Sequence, residues 1–177
     1  MKSNFELMAA YNQSMNQRLF ESASVLSLSE LEKDRGAFFR SIMGTLNHIL
    51  VGDTIWLKRF ADHNTGFNSL EYVRNLPSPT TLDETLYSTF WPLQEARSKM
   101  DKVFLDFTSE ITESDLSGVL EYKNTKGLHF AKNFGQILQH VFNHQTHHRG
   151  QVTTLLTQVG VDVGVTDLLL LIPDEKV

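Results

Sequence analysis

The sequence predicts an all-α fold, a four-helix bundle with a small β-hairpin before the last long helix. Three observations predict it. Four long stretches carry apolar residues at helical spacing, and Gly-, Pro- or Asn-containing breakers separate them. The fourth stretch holds four of the chain's seven histidines within the nine residues 140–148, without a proline. Apolar residues flank that segment on both sides, so its polar stripe reads as buried. Bundles place metal sites in the core on side chains of facing helices.

Helix one is expected over about residues 4–24, through Phe5, Met8, Ala9, Met15, Leu19 and Ala23, with Asn12 as a polar interruption. Residues 26–33 form a connector in which Ser29 and Glu32 resemble a capping box. Helix two spans about 37–61, through Phe38, Ile42, Leu46, Ile49, Ile55, Leu57 and Phe60. Gly44 and Gly52 each weaken it by about 1 kcal/mol relative to alanine, which suggests close approach of another group.

A long loop over about 62–82 is marked by Asn64-Thr65-Gly66 and Pro77-Ser78-Pro79. Helix three runs from about Asp83 to Phe107, capped by Thr81 or Asp83, and Pro92 either kinks it or marks its true start. Alternation over 118–131 around Asn124-Thr125-Lys126-Gly127 reads as the hairpin. Helix four covers about 133–159 and ends at Gly160. The tail, 161–177, contains the apolar patch Leu168 to Ile172. Such a patch marks either a homodimer interface or a fold-back over one end of the bundle. The 177 residues are expected to form a single domain.

Composition narrows the function. A net charge of −5 without a Lys/Arg run argues against nucleic acid as a partner. There is no cysteine, which excludes disulfides, protein thiolate ligands and a cysteine nucleophile within the sequence. The first residues carry no apolar signal core, and the apolar run 168–172 is far too short to span a bilayer. A cytoplasmic protein that does not enter membranes is the expectation.

On a helix, positions four apart lie about 40° apart around the axis and about 6 Å along it. His140, His144 and His148 therefore share a stripe, with His147 at its edge. Either His140 with His144 or His144 with His148 has the spacing to hold one divalent ion. A third ligand must come from elsewhere, and His48 of helix two is the candidate. Three protein ligands with an open position make a catalytic type of site, whereas a fourth from His140 or His147 would make a closed, structural one. Gly52, one turn from His48, would leave room beside the ion. His63 and His129 read as surface residues, and Trp56 and Trp91 as core. Arg149 either binds an anionic substrate or pairs with a carboxylate. Asp53 either orients a ligand's second nitrogen or pairs elsewhere. His144 is followed by Gln145, not glutamate, so the metalloprotease motif H-E-x-x-H is not met.

Three stretches together resemble the DinB family of damage-inducible bacterial proteins, unrelated to the DNA polymerase of that name. They are Thr45-Leu46-Asn47-His48-Ile49-Leu50-Val51-Gly52-Asp53 leading to Trp56, His140 through Gln151, and Gly160 followed by Gly164-Val165-Thr166-Asp167-Leu168. The resemblance implies a DinB-type four-helix bundle, often dimeric. It also implies a metal, zinc or nickel among others, held at the positions of His48, His144 and His148. The wider superfamily includes maleylpyruvate isomerases and transferases that use mycothiol or bacillithiol. The expected function is therefore divalent-metal binding, with thiol-dependent transfer or isomerisation of a small molecule. The alternative is a non-catalytic stress-response protein with a structural metal.

Overall fold

A computed structural model describes residues 1–175; the last two positions of the tail read from the sequence lie outside the described residues. Four long helices build the bundle: α1 (Lys2–Ala23), α3 (Ile42–His63), α5 (Phe90–Glu110) and α7 (Phe134–Gln158). Between them stand the short α2 (Leu28–Glu32), α4 (Glu71–Arg74) and α6 (Glu113–Ser117). Strands β1 (Val119–Lys123) and β2 (His129–Asn133) pair antiparallel, with Tyr122 opposite Phe130. The helix α1 lies between α5 and α7, and α7 lies between α1 and α3. Among the described residues no helix is long and apolar enough to cross a membrane.

The all-α reading with one hairpin holds, and the boundaries differ where local chemistry overrides periodicity. α3 starts at Ile42 rather than near 37, because Ser41 is the N-cap and its hydroxyl accepts from the Gly44 amide at 3.0 Å. Residues 35–41 instead close a tight turn in which Arg40 has φ 66°. Phe38, read as core, is 85% exposed. Gly44 serves this turn, since a Cβ there would meet the Phe39 carbonyl oxygen at 2.2 Å. At Gly150, inside α7, nothing lies within 4 Å of such a Cβ.

α5 starts at Phe90, so Pro92 marks the helix start. It occupies the first turn, where its missing N–H removes no helical bond. Neither Thr81 nor Asp83 caps it. The residues before it form a loop clasped by Asn47, whose side chain accepts from the Tyr87 amide at 3.0 Å and donates to the Tyr87 carbonyl at 3.1 Å. The segment 62–82 is not all loop: a 3-10 turn at Asn68–Leu70 and α4 bury Leu70 and Val73. The connector's cap is Ser27 with Glu30, not Ser29 with Glu32. Trp91, expected in the core, is 66% exposed.

The core is mostly apolar. Phe60, Phe107 and Phe134 pack ring on ring with centroids 4.7 to 6.4 Å apart. Through this core runs a chain of buried polar side chains that touches all four long helices. Asp53 of α3 accepts from Arg97 of α5 and, at 2.8 Å, from Gln145 of α7. Arg97 also lies 2.9 Å from Asp101. Asp101 accepts from Asn16 at 2.7 Å and from Asn12 at 3.3 Å, both on α1. Asn12 in turn accepts from Arg149 of α7. The polar interruption at Asn12 is thus a member of this seam.

The tail returns over α1. Tyr11 donates its hydroxyl proton to the Thr166 carbonyl at 2.6 Å, Arg18 donates to that of Val165, and Val163 is buried. The apolar stretch Leu168–Leu171 folds as a 3-10 turn with no residue buried, and Leu169 is 73% exposed.

Removing Arg97 leaves Asp53 and Asp101 buried without their shared cation. Arg97→Met should therefore destabilise the protein by about 3–5 kcal/mol, by the measured range for a broken buried ion pair. Asn12→Ala removes one hydrogen bond from each of two buried charges, Asp101 and Arg149, but leaves Asp101 its Arg97 and Asn16 partners, and should cost about 1.5–3 kcal/mol. Urea unfolding of the two variants measures the difference, and similar small losses in both would contradict the assigned roles.

Candidate metal centre

α3 and α7 pack side by side, and this brings His48 to His144 and His148. The Nε2 atom of His48 lies 3.0 Å from that of His144 and 3.2 Å from that of His148. Each of the three residues offers one ligand nitrogen within 4.8 Å of the others. Metal–nitrogen bonds of about 2.0–2.1 Å at tetrahedral angles separate ligand nitrogens by about 3.3 Å. The spacing is therefore that of a metal's donor set.

Proton placement points the same way. Nδ1 of His48 is 2.7 Å from the Leu82 carbonyl oxygen, which only accepts, so that nitrogen carries the proton. With the Gln151 amide oxygen 2.8 Å from Nδ1 of His148, that nitrogen is protonated as well. Both Nε2 atoms then present lone pairs to each other at 3.2 Å. One proton on His144 can satisfy only one of them. Nδ1 of His144 is itself buried without a hydrogen-bond partner. A divalent ion resolves this set of unmatched lone pairs, and the fit is that of neutral imidazoles to a borderline metal.

The surroundings keep the rings in place. A Cβ on Gly52 would lie 2.7 Å from Cε1 of His144, so the missing side chain is the space in which that imidazole sits. Phe39 stacks on His48 with centroids 3.7 Å apart and planes 16° apart, and meets His148 edge-on at 5.5 Å. It is delivered by the turn that holds Arg40 in the left-handed region.

The other candidates fall outside the cluster. His140 is exposed and packs edge-on against Trp56 at 5.5 Å, which sets aside the His140–His144 pairing. His147 is exposed and lies 3.3 Å from the Gln151 amide nitrogen. Among the described residues, no fourth His, Asp or Glu joins the group. His63 and His129 are exposed. Asp53 is held by Arg97 and Gln145. Among the described residues Arg149 pairs with no carboxylate; it donates to Asn12 and, at 3.1 Å, to Thr146, above the Tyr11 ring. Burial lowers its pKa to about 10, so it stays cationic at neutral pH. Trp56 is half-buried, with the Arg59 guanidinium 4.3 Å above its ring.

Sequence reasoning missed Phe39, Leu82 and Gln151. Gln151 was detectable, since it follows His148 by three residues on the same helix face. Phe39 and the Leu82 carbonyl come from loops that periodicity does not describe.

Burial lowers the pKa of all three histidines. It acts against the Leu82 carbonyl at His48 and against Gln151 at His148. At His144 burial acts together with the neighbouring imidazoles and brings the value to about 3. In the metal-free protein the native state therefore resists protons that the unfolded chain accepts near pH 6.5. The unfolded state binds more protons below that pH, so stability falls as pH drops from about 6.5, and His144 extends the loss toward pH 3. His144→Gln should flatten this fall in urea unfolding measured between pH 7.5 and 4.5. A slope equal to that of the unaltered protein would contradict it.

The chain matches the DinB family model over residues 1–175. It is 24% identical over 157 residues to "Protein DinB" of Bacillus subtilis (strain 168), an alignment covering 89% of this chain and 87% of that protein. With the bundle, the hairpin and the histidine cluster in place, this match over nearly the whole chain shows that the protein belongs to the DinB family.

Proposed function

We propose that the chain is a metal-dependent enzyme that presents a low-molecular-weight thiol to an electrophile, with one divalent ion, zinc or nickel, on His48, His144 and His148. The observation that carries this reading is the convergence of three Nε2 atoms at 3.0–3.2 Å with two tautomers held lone-pair inward. An ion held there supplies Lewis acidity, which makes a bound thiol a thiolate near neutral pH. A chain without cysteine needs such a thiol from outside. Three protein ligands leave a coordination position for it.

The chain's own residues supply the rest. Leu82 and Gln151 hold two rings in the ligating tautomer, Gly52 gives the third its place, and Phe39 shields His48 from water. On the far side of Phe39 and Leu82 lies a cavity of about 840 Å³, also bordered by Phe38, Met43 and Tyr87 but by none of the three histidines, large enough for a small-molecule substrate whose reactive end reaches past Phe39. Glu32, Asp34 and Asp83 line it against one cation, Arg40, which Asp34 already pairs at 2.9 Å. These walls favour a neutral or cationic electrophile. Among the described residues no carboxylate belongs to the cluster, which speaks for thiol chemistry over hydrolysis with a carboxylate base. The reading places the protein in the cytoplasm, where small thiols are kept reduced. We further propose a homodimer through the exposed Leu169, Leu170 and Ile172.

The protein should bind about one divalent ion per chain. His48→Ala, His144→Ala and His148→Ala should each lower affinity sharply, and Gly52→Ala by about ten- to a hundredfold through His144. His63→Ala should not change it. Metal analysis with competing chelators reads this, and full occupancy in all three histidine variants would end the proposal. Turnover of a chlorinated nitrobenzene with bacillithiol, mycothiol, glutathione or coenzyme A should depend on His148. A rate unchanged in His148→Ala would remove the metal from the chemistry. In sedimentation at micromolar concentration the full chain should run as a dimer and Leu169→Glu/Leu170→Glu as a monomer; a monomeric full chain would refute the interface.

A further inference from the structure

α7 has a second polar face, turned toward α1. Arg149 sits there, 4% exposed, on a cavity of about 190 Å³ that Tyr11, Met15, Leu19, Thr146, Thr153 and Thr166 also line. Gly150 completes the lining, and among the described residues no Asp or Glu belongs to it. The cavity lies between α1, α7 and the returning tail, whereas the histidine cluster lies between α3 and α7.

Two features here are unexplained by packing. The first is the charge. The four buried ions of the seam sum to zero, but Arg97 touches both carboxylates and Arg149 touches neither. Both hydrogen-bond partners of Arg149, Asn12 and Thr146, are neutral. A buried guanidinium ordinarily faces a carboxylate or phosphate, whose two oxygens match its fork. The second is Gly150. A glycine inside a helix costs about 1 kcal/mol relative to alanine. Nothing lies within 4 Å of a Cβ built there, so no neighbour requires its absence. Gly150 borders the cavity, and the space that a side chain there would enter is open.

We propose that this cavity binds a small oxyanion, a carboxylate or a phosphate group, with the Arg149 guanidinium as its cationic partner. The size agrees: 190 Å³ is about six waters at about 30 Å³ each, enough for such a group and too little for a nucleotide. The donors agree as well. The hydroxyl protons of Tyr11 and Thr153 go to the carbonyls of Thr166 and Arg149. Thr146 accepts from Arg149, and no acceptor among the described residues takes its own proton, which is free for the anion.

Calorimetry of the full chain with inorganic phosphate and, separately, acetate tests this at constant ionic strength. Each anion is titrated into metal-loaded protein and into protein stripped of metal and dialysed free of chelator. Saturable 1:1 binding of at least one anion, equal in both preparations, is expected, and the preferred anion names the class. Gly150→Leu, which fills the mouth at an exposed position, should abolish binding while keeping the melting temperature. Arg149→Lys should weaken it about tenfold, the loss of one charge-assisted hydrogen bond. Thr146→Val, which removes the free donor without filling the cavity, should weaken it also, so the proposal does not hang on one variant folding. Absence of saturation overturns the site. So does binding that survives both Gly150→Leu and Thr146→Val. Binding that disappears on metal stripping assigns the anion to the histidine site and overturns this one.

Discussion

The interaction on which the rest of the structure depends is the pair of carboxylates, Asp53 and Asp101, gripped by one buried guanidinium, Arg97. Apolar packing is tolerant of small shifts along a helix axis, because one methyl group replaces another at similar energy. A buried ion pair is not, since a shift of one residue leaves a charge without a partner. Asp53 also accepts from Gln145, the neighbour of His144. That bond sets the axial register of α3 against α7, and the same register brings His48 level with His144 and His148. The polar seam therefore stabilises little beyond what an apolar core would supply, but it specifies the one helix alignment in which three imidazole nitrogens meet.

Much of this was legible in the sequence where the physics is periodic. The long helices show as apolar residues at helical spacing, the hairpin shows as alternation around Asn124-Thr125-Lys126-Gly127, and the histidine stripe shows as positions four apart. The first turn of α3 was misplaced because Phe38 and Phe39 continue the apolar pattern. Their placement is decided instead by a serine cap and by Arg40 in the left-handed region, neither of which leaves a periodic trace. The start of α5 was legible only as an alternative reading of Pro92. The polar seam was written in pairs four apart, Asn12 with Asn16, Arg97 with Asp101, Gln145 with Arg149, each on a helix face otherwise apolar. Without the partner helix, such a pair reads equally well as a solvated face. Which two of the helix-four histidines meet His48 is a tertiary fact that spacing alone left open.

The two faces of α7 divide its polar residues by helical geometry alone. His144 and His148 lie on the side of α3, and Arg149, one residue on and about 100° around the axis, lies on the side of α1. Gln145 sits between, joined to the seam. A short run of polar letters on one helix therefore serves a donor cluster, a structural hydrogen bond and a cationic cavity without any of them sharing a side chain.

The loop before α5 carries a consequence of its own. Asn47 clasps Tyr87, and the Leu82 carbonyl in the same loop holds the proton of His48. Surface loops in most folds drift in length between relatives, because only their ends are anchored. Here the middle is anchored too, by a backbone atom at a set distance from an imidazole. As far as the His48 tautomer is concerned, the side chains along this stretch are free to vary, since a carbonyl belongs to every residue type. Its length is not. An insertion between Leu82 and Tyr87 would turn a different carbonyl toward His48 or none at all, so substitutions should accumulate in this loop while gaps are excluded from it.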